Sequence, residues 1–184
     1  MNATAEPANN EWKSGMYSAT YTLMKLAGLP QRKHLPHEVP SWVEQGGRHF
    51  ITINHRNRGS DPLCRENLPY ALLDSVLHYE TIRNWYPWIV LVMPDHLHGI
   101  FTFDLRNRRV SSILRAWKSY QSKNLGITWQ SGYFEHRLRN ETEFAEKANY
   151  IRMNPVRKGL VENPKDWPWV IDRTNLDDRT LDQH

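Results

Sequence analysis

Four side chains in this sequence have types and spacings suited to chemistry: His96 and His98 in WIVLVMPDHLHGIFTF (88–103), and Tyr150 and Asn154 in YIRMNPVRKGLV (150–161). The first stretch reads as two apolar strands joined at a Pro94–Asp95 turn, with the histidines opening the second strand. Strand alternation puts both imidazoles on one face and Leu97 on the other. Neutral imidazole is the commonest metal ligand, and a strand holds its direction better than a loop does, so the pair is suited to a bound divalent ion, although spacing alone equally describes ordinary surface or core histidines. In the second stretch Tyr150 and Asn154 are four residues apart on a helix that Pro155 is expected to end, so a phenol and an amide share one face.

The elements that must position these groups follow from the pattern of the chain. Residues 1–33 form an N-terminal extension with a weak helical pattern at YTLMKLAGL, and Pro30, Pro36 and Pro40 keep the next segment extended. Phe50 to Asn54 reads as the first strand. Apolar residues between Glu66 and Asn84 recur at helical spacing and predict a long helix leading into the histidine hairpin. A second helix begins at Val110, runs to about Asn124 and is closed by Gly126. Ile127, Trp129, Tyr133 and Phe134 then suggest a strand, irregular at Gly132. Asn140 followed by Glu143 predicts the start of a third helix, the one that carries Tyr150. Trp167-Pro168-Trp169 is expected to pack back on the body, and residues 172–184 form a polar tail.

The order β, α, ββ, α, β, α contains the split β-α-β-β-α-β arrangement: an α+β, ferredoxin-like antiparallel sheet with helices on one face, followed by a helix carrying the tyrosine. At 184 residues the chain supports one domain with a sizeable core, assigned to 34–171.

Several of these stretches together resemble the HUH-type tyrosine transposases, in the branch called REP-associated tyrosine transposases. They are the strand pattern MPDHLHGI, GYFEHRLRN at 132–140, YIRMNPVRKGLV, the WPW at 167–169, and the opening HLPHEVPSWVEQGGRHFITI at 34–53. The resemblance covers about residues 34 to 171 and implies the same fold. It also implies that His96, His98 and the side-chain oxygen of Asn154 hold Mg²⁺ or Mn²⁺, and that Tyr150 attacks a phosphodiester to leave a 5′-phosphotyrosine bond and a free 3′-hydroxyl. The implied substrate is single-stranded DNA folded as an imperfect hairpin. The branch tends towards monomers, with a dimer as the alternative. Such chemistry needs a nucleophile, stabilisation of charge on the phosphate, and in-line positioning. Glu135 and His136, beside a strand end, are expected to orient a ligand histidine.

Composition agrees with a polyanionic partner. The net charge is only +4, but residues 105–160 hold twelve Lys and Arg against four Asp and Glu, a local excess of eight. A basic stripe of this kind favours a nucleic-acid backbone through counterion release. Backbone contacts are assigned to Arg56, Arg58, Arg109, Lys118, Arg137 and Arg139. Eight tryptophans and eight tyrosines add surfaces for stacking bases. The single cysteine, Cys64, excludes an internal disulfide, and no apolar run reaches the roughly 20 residues that span a bilayer. A cytoplasmic, nucleoid-associated protein is expected. Two other readings compete: a domesticated hairpin-DNA-binding protein that no longer moves DNA, and an unrelated metal hydrolase or oxygenase that recruits a carboxylate, with Asp95 the nearest candidate.

Overall fold

The computed structural model describes residues 41–44, 46–57, 62–106 and 108–174. The extension of residues 1–33, its helical pattern, the three prolines, Arg58 and residues 175–184 of the tail lie outside the described residues.

Within them the order is α1 (Ser41–Glu44), β1 (Arg48–Asn54), α2 (Leu68–Thr81), β2 (Trp85–Val92), β3 (His96–Phe103), α3 (Val110–Leu125), β4 (Phe134–Arg137), α4 (Glu141–Arg157), a 3-10 turn (Pro164–Asp166) and β5 (Val170–Asp172). The described strands form one sheet in the order β4-β1-β3-β2-β5, and every pair is antiparallel. Its first four strands with α2 and α3 are the expected split β-α-β-β-α-β arrangement. In strand β2 all eight residues are buried, which explains its nearly continuous apolar run. Pro87 lies inside it, and the register with β3 shifts between Pro87 and Ile89, where the missing N–H breaks the ladder.

Helices α2 and α3 share one face of the sheet. Trp85 donates from Nε1 to the Val76 carbonyl (2.9 Å), and Ser75 on α2 receives both Trp117 Nε1 (3.1 Å) and Gln121 Nε2 (2.8 Å) from α3. Leu97, Gly99, Phe101 and Phe103 of β3 point this way. At Gly99 an added Cβ would lie 2.4 Å from the Phe101 ring, so only glycine lets that ring fold along the strand. The other face carries His96, His98, Ile100 and Thr102 and is covered by α4. There Phe144 packs edge-on against Trp88, with centroids 5.6 Å apart.

The tyrosine helix starts as its sequence predicts. The Asn140 side chain accepts from Glu143 N (2.9 Å), and the Glu143 carboxylate accepts from Arg139 N (2.7 Å). Its end differs from expectation. The helix passes through Pro155 and closes only after Arg157. Pro155 removes one N–H, but the next bonds survive: Lys158 N donates to Asn154 O (3.1 Å), Gly159 N to Val156 O (2.8 Å) and Leu160 N to Pro155 O (2.9 Å). With Gly159 left-handed (φ 66°), the last two bonds make a Schellman closure. Asn154 is therefore one turn inside the helix instead of at its terminus.

Two further departures concern strands. The stretch from Ile127 to Tyr133 contributes only an isolated bridge, His55 to Trp129, and the strand proper begins at Phe134. The Lys118 ammonium explains the bend, because it donates to the carbonyls of Gln130 (2.5 Å), Ser131 (3.2 Å) and Gly132 (2.9 Å). Strand β5 is too short to register as a sequence pattern. The WPW turn sets it: Trp167 donates to the Val92 carbonyl (3.0 Å) and Val92 N donates to the Trp169 carbonyl (3.0 Å), so Val170–Asp172 pairs with β2. The first residues assigned to the tail thus belong to the body, with Asp172 held by Arg152 and Arg173 by Glu80.

Candidate active site

His96 and His98 lie on one face of β3, as alternation requires, with their Nε2 atoms 3.0 Å apart. Each ring is fixed through its other nitrogen. His96 Nδ1 is 2.6 Å from the Asp95 carboxylate, and His98 Nδ1 is 2.8 Å from the Thr52 hydroxyl, its cross-strand neighbour on β1. A Nδ1–H donated to Asp95, and another accepted by Thr52, leave both Nε2 lone pairs converging on one point. Octahedral ligands at about 2.1 Å from an ion sit about 3.0 Å apart along an edge, so this spacing suits Mg²⁺ or Mn²⁺.

Burial, followed by the neighbouring His96, pushes the His98 imidazole down to about 3, with the Asp95 carboxylate opposing. It is therefore neutral near pH 7 and available as a ligand. The sign of the coupling to stability follows. The unfolded imidazole takes up its proton near pH ~6.5, whereas the folded one resists it. In chelator, stability is complete above about pH 6.5 and falls as pH drops towards the folded value. Chemical denaturation of the metal-free protein across pH 7 to 4 should show this loss, and a variant lacking the imidazole should show less of it.

The expected orienting role of Glu135 and His136 is filled instead by Asp95 and Thr52. On β4, Glu135 pairs with Ile51 and so faces away from the site; its carboxylate binds His49 Nδ1 (2.8 Å). His136 does share the histidine face, but its Nε2 looks to Glu143 at 3.7 Å. Asp95 is engaged on the side of the His96 ring remote from Nε2. The hydrolase reading thereby loses its carboxylate ligand, and among the described residues no cluster of three or more His, Cys, Asp or Glu side chains could hold an ion. Thr52→Val and Asp95→Asn are each expected to weaken Mn²⁺ binding about 10–100-fold. Calorimetric titration measures this; undiminished affinity in both would show that the rings need no such partner.

Helix α4 brings the remaining pair. The Tyr150 ring lies edge-on to His98 with centroids 5.6 Å apart, and Phe50 stacks on His98 (5.6 Å) and meets Tyr150 edge-on (6.1 Å). Tyr150 is 37% exposed, whereas Asn154, one turn further along the same face, is 5% exposed. Two cations not singled out in the sequence flank the tyrosine: Arg157 Cζ is 5.2 Å and Lys147 Nζ 5.7 Å from its ring centroid. Their positions three before and seven after Tyr150 were a legible helical signal.

A REP-associated tyrosine transposase of Escherichia coli (strain K12) is 31% identical over 135 residues, 72% of this chain and 80% of that protein. The chain belongs to the REP-associated tyrosine transposases. A Haemophilus influenzae relative assigned to the same family is 26% identical over 146 residues, 68% of this chain and 79% of that protein. The solved structure of a REP-associated tyrosine transposase bound to a REP hairpin superposes with a TM-score of 0.61 at 28% identity, covering 74% of this chain and 81% of that one. No family model matches the chain.

The basic residues assigned to DNA contacts fall in several different places. Arg56 is exposed where β1 leaves the sheet, beside the hairpin turn, since His55 N donates to Asp95 O (2.8 Å). Arg109 precedes α3 and Arg139 precedes α4, both exposed. Arg137 lies on the face opposite the histidines, against Gly47. Lys118 spends its three donors on carbonyls, so it ties down a loop instead of presenting a charge to phosphate. Arg58 is outside the described residues. No helix among the described residues is long and apolar enough to cross a membrane.

Proposed function

We propose that the protein is a metal-dependent single-stranded DNA endonuclease and strand transferase, acting beside imperfect palindromic hairpins through a 5′-phosphotyrosine intermediate. One observation carries this reading: the Tyr150 ring lies 5.6 Å from the His98 ring, whose Nε2 is 3.0 Å from that of His96, with Asn154 buried one turn along the same helix face. His96, His98 and the Asn154 amide oxygen would hold Mg²⁺ or Mn²⁺, which supplies charge neutralisation at a phosphate oxygen when bound. Tyr150, partly exposed, loses its phenolic proton to solvent as it attacks. The Oη–phosphorus bond forms while the bond to the 3′-oxygen breaks, and that oxygen takes up a proton. Because one phosphoester replaces another, a free 3′-hydroxyl can reverse the step and join new strands without ATP.

The partner follows from the family and from the surface around the tyrosine. Phe134 is 56% exposed on the edge strand, 6.0 Å from Phe50, and offers a face on which an unpaired base can stack. The relative solved with a REP hairpin supports the same class of DNA for this chain. The test is a denaturing gel of the protein with labelled single-stranded DNA carrying the palindromes that flank its own gene. A protease-sensitive adduct that forms with Mn²⁺ and disappears with chelator is the expected result. Shifted DNA on a native gel, with neither adduct nor cut product in Mn²⁺, would overturn the enzymatic reading in favour of hairpin binding alone.

A further inference from the structure

Lys147, Tyr150, Asn154 and Arg157 form a single stripe on α4, at helical offsets of −3, 0, +4 and +7 from the tyrosine. The guanidinium of Arg157 lies 5.2 Å from the Tyr150 ring centroid, and the ammonium of Lys147 lies 5.7 Å from it and 5.5 Å from that of Phe50. Three other arginines around this helix are neutralised. Arg48 binds both oxygens of Glu141 (2.6 and 2.7 Å), Arg152 binds Asp172 (2.5 Å), and Arg173 binds both oxygens of Glu80 (2.6 and 3.0 Å). Lys147 and Arg157 make no ion pair with a carboxylate among the described residues. Two cations without a carboxylate partner therefore bracket the nucleophile on the face that also carries the histidine pair.

From this juxtaposition we propose that Arg157, with Lys147 beside it, is a catalytic residue that grips the non-bridging oxygens of the scissile phosphate and holds it for attack by Tyr150. The inference rests on the reading under Proposed function and extends it to groups outside the histidine–asparagine set. A planar guanidinium matches two oxygens of one phosphate with parallel N–H donors, whereas an ammonium acts as a point charge. As the Tyr150 Oη–phosphorus bond forms and the bond to the 3′-oxygen breaks, negative charge on the non-bridging oxygens is stabilised by donors already in place. Arg157 transfers no proton and stays in contact with the phosphotyrosine afterwards. The helix has to pass Pro155 for this to work. Ending at Asn154, as the sequence alone suggests, would take Arg157 off the stripe.

The competing account is that both cations merely pack on aromatic rings. Arg157→Gln, Arg157→Lys and Lys147→Gln in the full chain separate the two, using a single-stranded oligonucleotide with the palindromes flanking its own gene. Single-turnover cleavage in Mg²⁺, hairpin affinity and thermal melting are measured in parallel, with Rp and Sp phosphorothioates at the scissile linkage. Arg157→Gln should cut about 10²–10³-fold more slowly, with hairpin affinity and melting nearly unchanged. The wild-type penalty for sulfur at one non-bridging position should shrink in that variant, Arg157→Lys should recover part of the rate, and Lys147→Gln should show a smaller loss. Cleavage by Arg157→Gln within about threefold of wild type would overturn the proposal, as would a slower rate with an unchanged sulfur penalty and a lowered melting temperature. If wild type itself forms no adduct, the reading under Proposed function fails and this inference falls with it. An adduct in wild type that Arg157→Gln forms equally fast sinks the inference alone.

Discussion

Tyr150→Phe should abolish the covalent protein–DNA adduct and reduce cleavage by on the order of 10³-fold or more, because in the proposed reaction it removes the one atom that forms the new bond to phosphorus. The substitution should leave the fold intact. The phenolic oxygen makes no hydrogen bond with the described residues, and the contacts of the ring with His98 and Phe50 are made by carbon. Melting should stay within a degree or two of wild type, and hairpin DNA should still be retained on a native gel. A binding-competent, stable and chemically silent variant is thus expected, read on a denaturing gel beside the native one. Cleavage that persists at the wild-type rate would show that another nucleophile, such as an activated water, does the work.

For His98→Ala the expected loss is of two kinds at once. Cleavage should fall by a similar factor, since one of two converging imidazole nitrogens is gone. Stability should also fall, by about 2–4 kcal/mol, because a ring with 5% exposure is removed from between Phe50, Tyr150 and the Thr52 hydroxyl, leaving a cavity and a part-buried hydroxyl without its partner. The two losses are separable through ligand linkage. An ion that binds only the folded state raises the melting temperature with concentration. Mn²⁺ should therefore stabilise wild type and fail to stabilise His98→Ala. An equal Mn²⁺-induced rise in both proteins would place the ion elsewhere. His96→Ala should lose the same response at a smaller cost in stability, since its ring, at the first position of the strand, is bonded to the adjacent Asp95 and not to another strand.

Much of this arrangement is legible in the sequence. His-x-His in an apolar run needs only the two-residue period of a strand to put both rings on one face, and Tyr150 with Asn154 needs only the helical period. Asn140 and Glu143 announced the start of α4, and Gly126 the end of α3, because capping depends on a few adjacent residues. The same local reasoning failed at Pro155. The lost N–H is visible in the sequence, but the closing bonds from Gly159 and Leu160 that sustain the helix to Arg157 are not.

What the sequence by itself determined, then, was which side chains travel together on one element. Only the tertiary structure decided which elements face each other. That Thr52 rather than Glu135 meets His98 depends on the register of β1 with β3 and of β1 with β4, where a slip of one residue exchanges the faces. Lys118 looked like one more surface cation until the loop at 130–132 folded over it, and strand β5 exists because two tryptophans bind the edge of β2. Periodicity is a property of the backbone within one segment, so it can be read along the chain. Register and docking are settled by burial and hydrogen bonding between residues from 12 to 86 positions apart, and no local pattern carries that information.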